Sequence, residues 1–248
     1  MNWIRLLRAE LRKLTTTKMP LGFLAVLVVV SAAVAAAVVV GAGTDDAGGF
    51  IDTADAQRSL LAFGTNAMMI GGLFGAIAVS REYTHGTAVP TFLIGPRRHQ
   101  AMLAQFTVVL LSGGVLGFVG GALTVAAGAI SLPLADSELL LSFAAVSRLA
   151  AASTLAGATG AVLGAGIGAV IRNTGGAVTA AVVILLIGPP IVAQLMSDAA
   201  AWVPGTLIAV ISGVGEQPGM AAAIAALAAW GLVPAVIGIG AVQRRDVV

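Results

Sequence analysis

The sequence predicts an all-α integral membrane protein, a bundle of six membrane-spanning helices preceded by an interfacial helix. Hydrophobic residues make up 58% of the chain and charged residues only 10%, against roughly 25% charged in an average soluble domain. Six apolar segments are long enough to cross a bilayer at ~1.5 Å per residue. These segments are rich in glycine and alanine, which membrane helices use to pack closely.

Residues 1–19 are predicted to form an amphipathic helix at the membrane surface. Apolar residues recur at helical spacing on one face while cations lie elsewhere on the wheel: Trp3, Leu6, Leu7, Leu11 and Leu14 against Arg5, Arg8, Arg12 and Lys13. Such a helix keeps its leucines at the acyl boundary and its cations on lipid phosphates. The alternative is a basic flank that only orients the next span. The apolar run that follows has 21 residues, more than the ~7–15 of a secretory signal, so we expect it to remain as a span.

The predicted spans cover residues 20–40, 60–79, 101–129, 146–171, 177–195 and 220–241. Together they form one domain of residues 20–241, followed by a tail of residues 242–248. With the N-terminus inside, only two of the 13 Lys and Arg residues, Arg58 and Arg148, fall outside. Cytoplasmic loops carry such an excess of Lys and Arg. We therefore expect a multi-pass protein of the plasma membrane with both termini cytoplasmic.

Glycines recur at every fourth position in two spans. The third span has Gly113, Gly117 and Gly121, and the fourth has Gly160, Gly164 and Gly168. This spacing predicts that another helix approaches closely on that face. Packing inside the bundle and contact with another subunit both remain open. Prolines at 189, 190 and 234 are predicted to kink spans five and six.

The segment between spans five and six contains a short apolar run. Residues 202–211 are apolar but interrupted by Pro204 and Gly205, and they are too few to span. We predict a re-entrant or interfacial element, with the Trp202 indole at the level of the lipid headgroups.

Several kinds of chemistry lack their sequence signals. The chain has no cysteine and no GxxxxGK[ST], HExxH or GxSxG motif. His85 and His99 are 14 residues apart, which disfavours a metal site. The formal net charge is only +2, and the basic residues are distributed by membrane side instead of being gathered on one face. We therefore expect no nucleic-acid partner. The chain is predicted to be non-catalytic and to hold no cofactor.

The spans contain no charged residue near their middle. Ion-coupled transporters usually have such residues, so an ion-coupled carrier is disfavoured. Milder polar residues are candidates to line a pathway: Thr65, Asn66, Thr154 and Thr159. If the protein moves a cargo, the energy for transport is supplied outside the spans.

The predicted loop at residues 80–100 is the candidate site at which a partner supplies that energy. It combines charged and imidazole side chains between two spans: Arg81, Glu82, His85, Arg97, Arg98 and His99. Glu82 could pair with a basic groove on a soluble partner. Gly86 allows a turn, and Pro96 marks the turn before span three. The alternative is a loop whose cations only set topology.

At this loop the chain resembles the permease subunits of type-2 ATP-binding-cassette exporters. Glu82, Gly86 and Thr87 match an E-x-x-x-G-T pattern, and Leu93, Pro96 and Arg97 or Arg98 follow. The layout of an interfacial helix, six spans and a re-entrant element is also similar. Gln105 departs from the family, whose members often have a lysine there.

The resemblance implies a function that residue patterns alone do not. It implies a cytoplasmic coupling helix between spans two and three, with these residues contacting the ATPase: Glu82, Tyr83, His85, Gly86, Thr87, Pro96, Arg97 and Arg98. The partners would be two ATPase subunits, which hold ATP and Mg²⁺, and a second permease, either identical or related. The cargo would be amphipathic. The competing hypothesis is a membrane-embedded sensor or immunity protein that binds a partner without transport.

Overall fold

A computed structural model describes residues 3–42, 51–64, 66–86 and 98–244 of the chain. The described residues form helices and turns, with no strand among them. In chain order the helices are α1 (Trp3–Thr15), α2 (Met19–Ala42), α3 (Ala54–Gly64), α4 (Ala67–Thr84), α5 (Arg98–Leu134), α6 (Phe143–Ile171), α7 (Thr174–Val182), α8 (Gly188–Leu195), α9 (Ser197–Ala200), α10 (Pro204–Ser212) and α11 (Met220–Arg244). A π-helical turn, Val183–Ile187, joins α7 to α8.

Six helical segments are long and apolar enough to cross a membrane, which confirms the predicted all-α fold and its six spans. They are Met19–Gly41, Ala54–Thr84, His99–Leu134, Phe143–Ile171, Thr174–Leu195 and Met220–Arg244. The second is longer than predicted and consists of α3 and α4. Its break lies at Asn66, whose φ of 41° is left-handed, a conformation that ends a helix and that asparagine tolerates.

Helix α6 lies at the centre and packs against α4, α5 and α11. Both glycine runs are in these contacts: that of α5 faces α6, and that of α6 faces α4. A methyl group at Gly75 of α4 would overlap the carbonyl oxygen of Ala161, and one at Gly164 would overlap that of Gly72. The glycines therefore allow contact between helix backbones inside the bundle.

The fifth span, α7 to α8, lies at the periphery, and only Ala177 and Ala181 of its residues are buried. The predicted irregularity at its prolines is the π turn, in which the Gly188 N–H bonds to the carbonyl of Val183. Pro189 and Pro190 have no N–H to donate, so the regular α-helical ladder cannot continue through them. Helix α11 runs without interruption through Pro234.

We call the end of the bundle that carries α1 the α1 end, and the other the opposite end. At the opposite end, Gln57 is 1% exposed and all its hydrogen bonds reach backbone. Its Nε2 donates to the carbonyls of Ile51 (2.9 Å) and Glu138 (2.8 Å), and its Oε1 accepts from the N–H of Leu140 (2.9 Å). This residue joins the turn before α3 to the segment between α5 and α6.

Helix α10 is the short apolar element predicted between spans five and six. Its side chains Leu207, Val210 and Ile211 are buried against α6 and α11. The Trp202 side chain is 48% exposed, and its carbonyl accepts a bond from the Trp230 indole at 3.0 Å. Arg58 and Arg148 both lie beside Gly213, the residue that follows α10. Both are therefore at the opposite end of the bundle from α1, in agreement with the side to which the sequence assigned them.

Candidate docking site at the α1 end

Helix α1 packs on the bundle through a face that includes a charged residue. Leu14 and Glu10 are each 7% exposed, whereas Trp3, Ile4 and Leu11 are 40–60% exposed. A helix is thus present where the sequence predicted one, and its position at a membrane surface stays a prediction. Its buried face contacts protein, and part of its apolar surface stays open to the surroundings.

Lys13 connects α1 to the last turn of α4. Its Nζ lies 2.7 Å from Oε1 of Glu10 and 3.2 Å from Oε1 of Glu82. The side chain of Glu82 is only 12% exposed. Glu82, expected to meet a soluble partner, is therefore directed to Lys13 of its own chain.

Burial and charge act in opposite directions on Lys13. Burial alone would lower the pKa of this amine, but the nearby carboxylates of Glu82 and Glu10 raise the pKa above its ordinary value. The ammonium form is therefore the one that holds α1 in place.

Arg81 makes a second set of contacts across the same junction. Its Nη1 donates to Oγ1 of Thr17 at 3.4 Å and contacts Sδ of Met19 at 3.6 Å, and its Nη2 donates to the carbonyl of Lys13 at 3.4 Å. All three are long contacts to neutral acceptors. The guanidinium thus lies over the turn between α1 and α2, where the last carbonyls of a helix attract cations.

An open groove of about 490 Å³ lies between α1 and the end of α4. Each residue that lines it has a polar or charged side chain, although much of the lining surface comes from the apolar stems of these side chains: Lys13, Thr16, Thr17, Arg81, Glu82 and His85. Of these, the sequence placed Arg81, Glu82 and His85 in the candidate loop. The basic stripe of α1 is visible in the sequence, but no local pattern shows that Lys13 faces Glu82 across 69 positions.

The end of α4 carries the exposed part of the predicted coupling site. His85 is exposed, and its Nδ1 lies 2.9 Å from the carbonyl of Arg81. Gly86 follows with a φ of 69°, which agrees with the turn expected there. Tyr83 is turned inward, with its ring centre 5.3 Å from the guanidinium carbon of Arg172.

The helical part of this region is longer than the polarity of the sequence suggested. Helix α4 continues to Thr84, and Ser80, which we assigned to the loop, is fully buried. Thr87, Pro96 and Arg97 lie outside the described residues. Arg98 begins α5, but its side chain is not among those described.

Gln105 lies beneath the groove. It is 8% exposed and shares a small void of about 10 Å³ with Glu10, Lys13 and Glu82. A lysine at this position would supply a second ammonium to the two carboxylates. Gln105, the position at which this chain differs from the family it resembles, thus lies at the junction between α1 and α4.

The residues proposed to line a pathway divide between different surroundings. Asn66 shares a cavity with Pro204 and Gly205 at the opposite end. Thr154 faces Gly114 of α5, and Thr159 faces Gly231 of α11, so both lie in helix contacts. Thr65 lies outside the described residues.

Comparison with known proteins adds no family assignment. The sequence matches no model of a known protein family, and no curated protein matches it.

Proposed function

We propose that this chain is the transmembrane subunit of an ATP-driven exporter of the type-2 ATP-binding-cassette class. Six apolar spans and an α1 that lies against the bundle support this proposal. The short helices α9 and α10 fit the re-entrant element of that class. Two such subunits, identical or related, would enclose a path for an amphipathic cargo in the plasma membrane, with their termini in the cytoplasm.

The observation that carries the proposal is the linkage between α1 and the end of α4. Lys13 bonds to Glu10 and Glu82, and Arg81 reaches over to Thr17. The segment 87–97 follows directly after these contacts. A force applied to that segment by a partner would therefore move α1 and α4 together.

In the proposed cycle the energy comes from two ATPase subunits, which bind ATP and Mg²⁺. They would dock at the exposed groove and at the coupling segment after Gly86. His85 and Gly86 are the described residues that such a partner would meet first, because both are exposed. Glu82 and Tyr83 would transmit the movement rather than contact the ATPase, since each already packs within this chain.

Co-purification with a co-expressed ATP-binding-cassette ATPase tests the proposal, the ATPase being taken from the neighbouring gene where one is encoded there. We expect wild type to retain the ATPase and Gly86→Pro to lose it, because proline cannot adopt the positive φ at this exposed turn. Gly219→Pro is the matched control. Gly219 also has a positive φ, 91°, with open space around it, but it lies before α11 at the opposite end.

Two outcomes would contradict the proposal. One is failure of wild type to bind the ATPase. The other is equal binding by both variants, with melting curves like that of wild type. Binding that survives without ATP-dependent efflux would instead support the competing hypothesis of a membrane-embedded interaction protein.

A further inference from the structure

A cavity at the opposite end is separate from the groove described above. Its volume is about 250 Å³, and it lies between the first turn of α4, the π turn and α10. The lining side chains are mainly apolar and include Met68, Met69, Leu185, Leu186 and Ile208. Asn66 contributes the polar side chain of the lining, and it is exposed at the start of α4.

The cavity lies close to the far edge of the hydrocarbon layer. Asn66 is 18 positions from Thr84 at the α1 end, which corresponds to ~27 Å of helix at ~1.5 Å per residue. The hydrocarbon core of a bilayer is ~30 Å thick. A molecule in the cavity would therefore keep its polar group near the aqueous boundary and its apolar part inside the protein.

Volume and lining restrict the occupant. An α-helix is ~10 Å wide with its side chains, so even one turn exceeds the space available. This pocket is half open to its surroundings and most of its lining surface is apolar, so an apolar chain is favoured over water as its occupant. Enclosed apolar cavities of only ~150 Å³ already take small apolar molecules. Methionine side chains adapt to different apolar shapes, which suits such an occupant.

The π turn forms one wall of this cavity. It directs Leu185 onto Gly72 of α4, where the two residues are in contact, while Leu186 also lines the space. On the other side, a Cβ atom at Gly205 of α10 would meet no atom within 4 Å. Gly205 is exposed and lines the cavity, so a larger side chain there would meet no clash and would add bulk to the lining.

We propose that this cavity binds the apolar chain of a single small amphipath, with the polar group of that molecule beside Asn66. The inference stands apart from the proposed coupling to an ATPase, because it concerns this chain alone.

Photolabelling of the purified chain in phosphatidylcholine nanodiscs tests the proposal. The probe is octanol that carries a diazirine, which is activated by light and inserts into neighbouring bonds. We expect saturable adducts on the peptides containing Met68, Leu185 and Ile208, and excess unlabelled octanol should suppress them. Labelling of lipid-facing surfaces should not saturate.

Gly205→Leu is the decisive variant, because it adds a bulky side chain to the cavity lining and its backbone does not require a positive φ. We expect it to lower the saturable labelling about tenfold, equivalent to about 1.4 kcal/mol of binding free energy. Gly22→Leu is the matched control, since a Cβ at Gly22 on α2 also meets no atom within 4 Å. If Gly205→Leu does not fold, Ile208→Phe fills the same space from α10.

Three results would overturn the proposal. They are labelling that never saturates, saturable labelling confined to other peptides, and equal loss in the Gly205→Leu and Gly22→Leu proteins. Each concerns the chain without an ATPase, so failure here would leave the proposed function untouched.

Discussion

Replacement of Lys13 by methionine should release α1 from the bundle. Methionine keeps most of the aliphatic length but removes the ammonium that lies within 3.2 Å of both carboxylates. Glu82→Gln should be milder, because Lys13 then keeps Glu10 at 2.7 Å. Opening of α1 should therefore be most frequent in Lys13→Met, less frequent in Glu82→Gln and least frequent in wild type.

The size of the effect follows from the exposure of the three side chains. Lys13 is 36% exposed, whereas the side chains of Glu10 and Glu82 are 9% and 12% exposed. Loss of one partner costs ~3–5 kcal/mol in a fully buried pair, and exposed pairs contribute only ~0–1 kcal/mol. An intermediate site should lose about 1–3 kcal/mol. At 1.36 kcal/mol per factor of ten, opening of α1 should increase about 5- to 160-fold.

Amide hydrogen exchange of α1 in detergent micelles measures this opening directly. Arg12→Met is the control, because Arg12 is adjacent and exposed and carries the same single positive charge. It should leave exchange close to that of wild type. Equal acceleration in Lys13→Met and Arg12→Met would refute the reasoning, since it would mean that α1 is held by general charge rather than by this ion pair.

Three further predictions concern other parts of the chain. The pKa of Lys13 is raised in the folded protein, so its contribution to stability should be complete below the ordinary value of 10.5 and should be lost as pH rises through the folded pKa. This can be measured with spin labels on cysteines introduced into α1 and α7 of this cysteine-free chain. The distance between the labels should be constant from pH 7 to about 10 and should lengthen above it. Gln57→Ala removes three buried hydrogen bonds at ~1 kcal/mol each, so we expect a loss of about 2–4 kcal/mol, seen as a lower melting temperature than for Gln243→Ala on the exposed end of α11. Gly75→Leu should prevent assembly of a monodisperse protein in size-exclusion chromatography, whereas Gly22→Leu should not; normal elution of the Gly75 variant would contradict the backbone contact with α6.

The general architecture could be predicted because it depends on local composition. Apolar length identified the six spans, and glycine spacing indicated close helix contact. The same spacing could not tell an internal contact from a subunit interface, since both require small residues. Only the positions of α4 and α6 resolve the question in favour of internal contacts.

The candidate site was harder to predict because its partners are distant in sequence. Polarity placed Glu82 in the loop after the second span, but helix α4 continues past it, and its partner Lys13 is 69 positions away in the sequence. The break at Asn66 was also missed, because a single asparagine inside an apolar run is a weak signal for a left-handed residue. The segment 87–97 stays a prediction, since it lies outside the described residues.

The contact between α6 and its neighbours also affects the entropy of assembly. Glycine and alanine lose essentially no side-chain rotamer freedom when they are buried, whereas long side chains lose up to ~2 kcal/mol each. Within lipid there is little hydrophobic gain from bringing helices together, so this saving matters more than it would in water. The centre of this bundle is built mostly from residues with no rotamers to fix, such as Ala161, Gly164 and Ala165. Its helices therefore associate through weak dispersion contacts that are opposed by little loss of side-chain freedom.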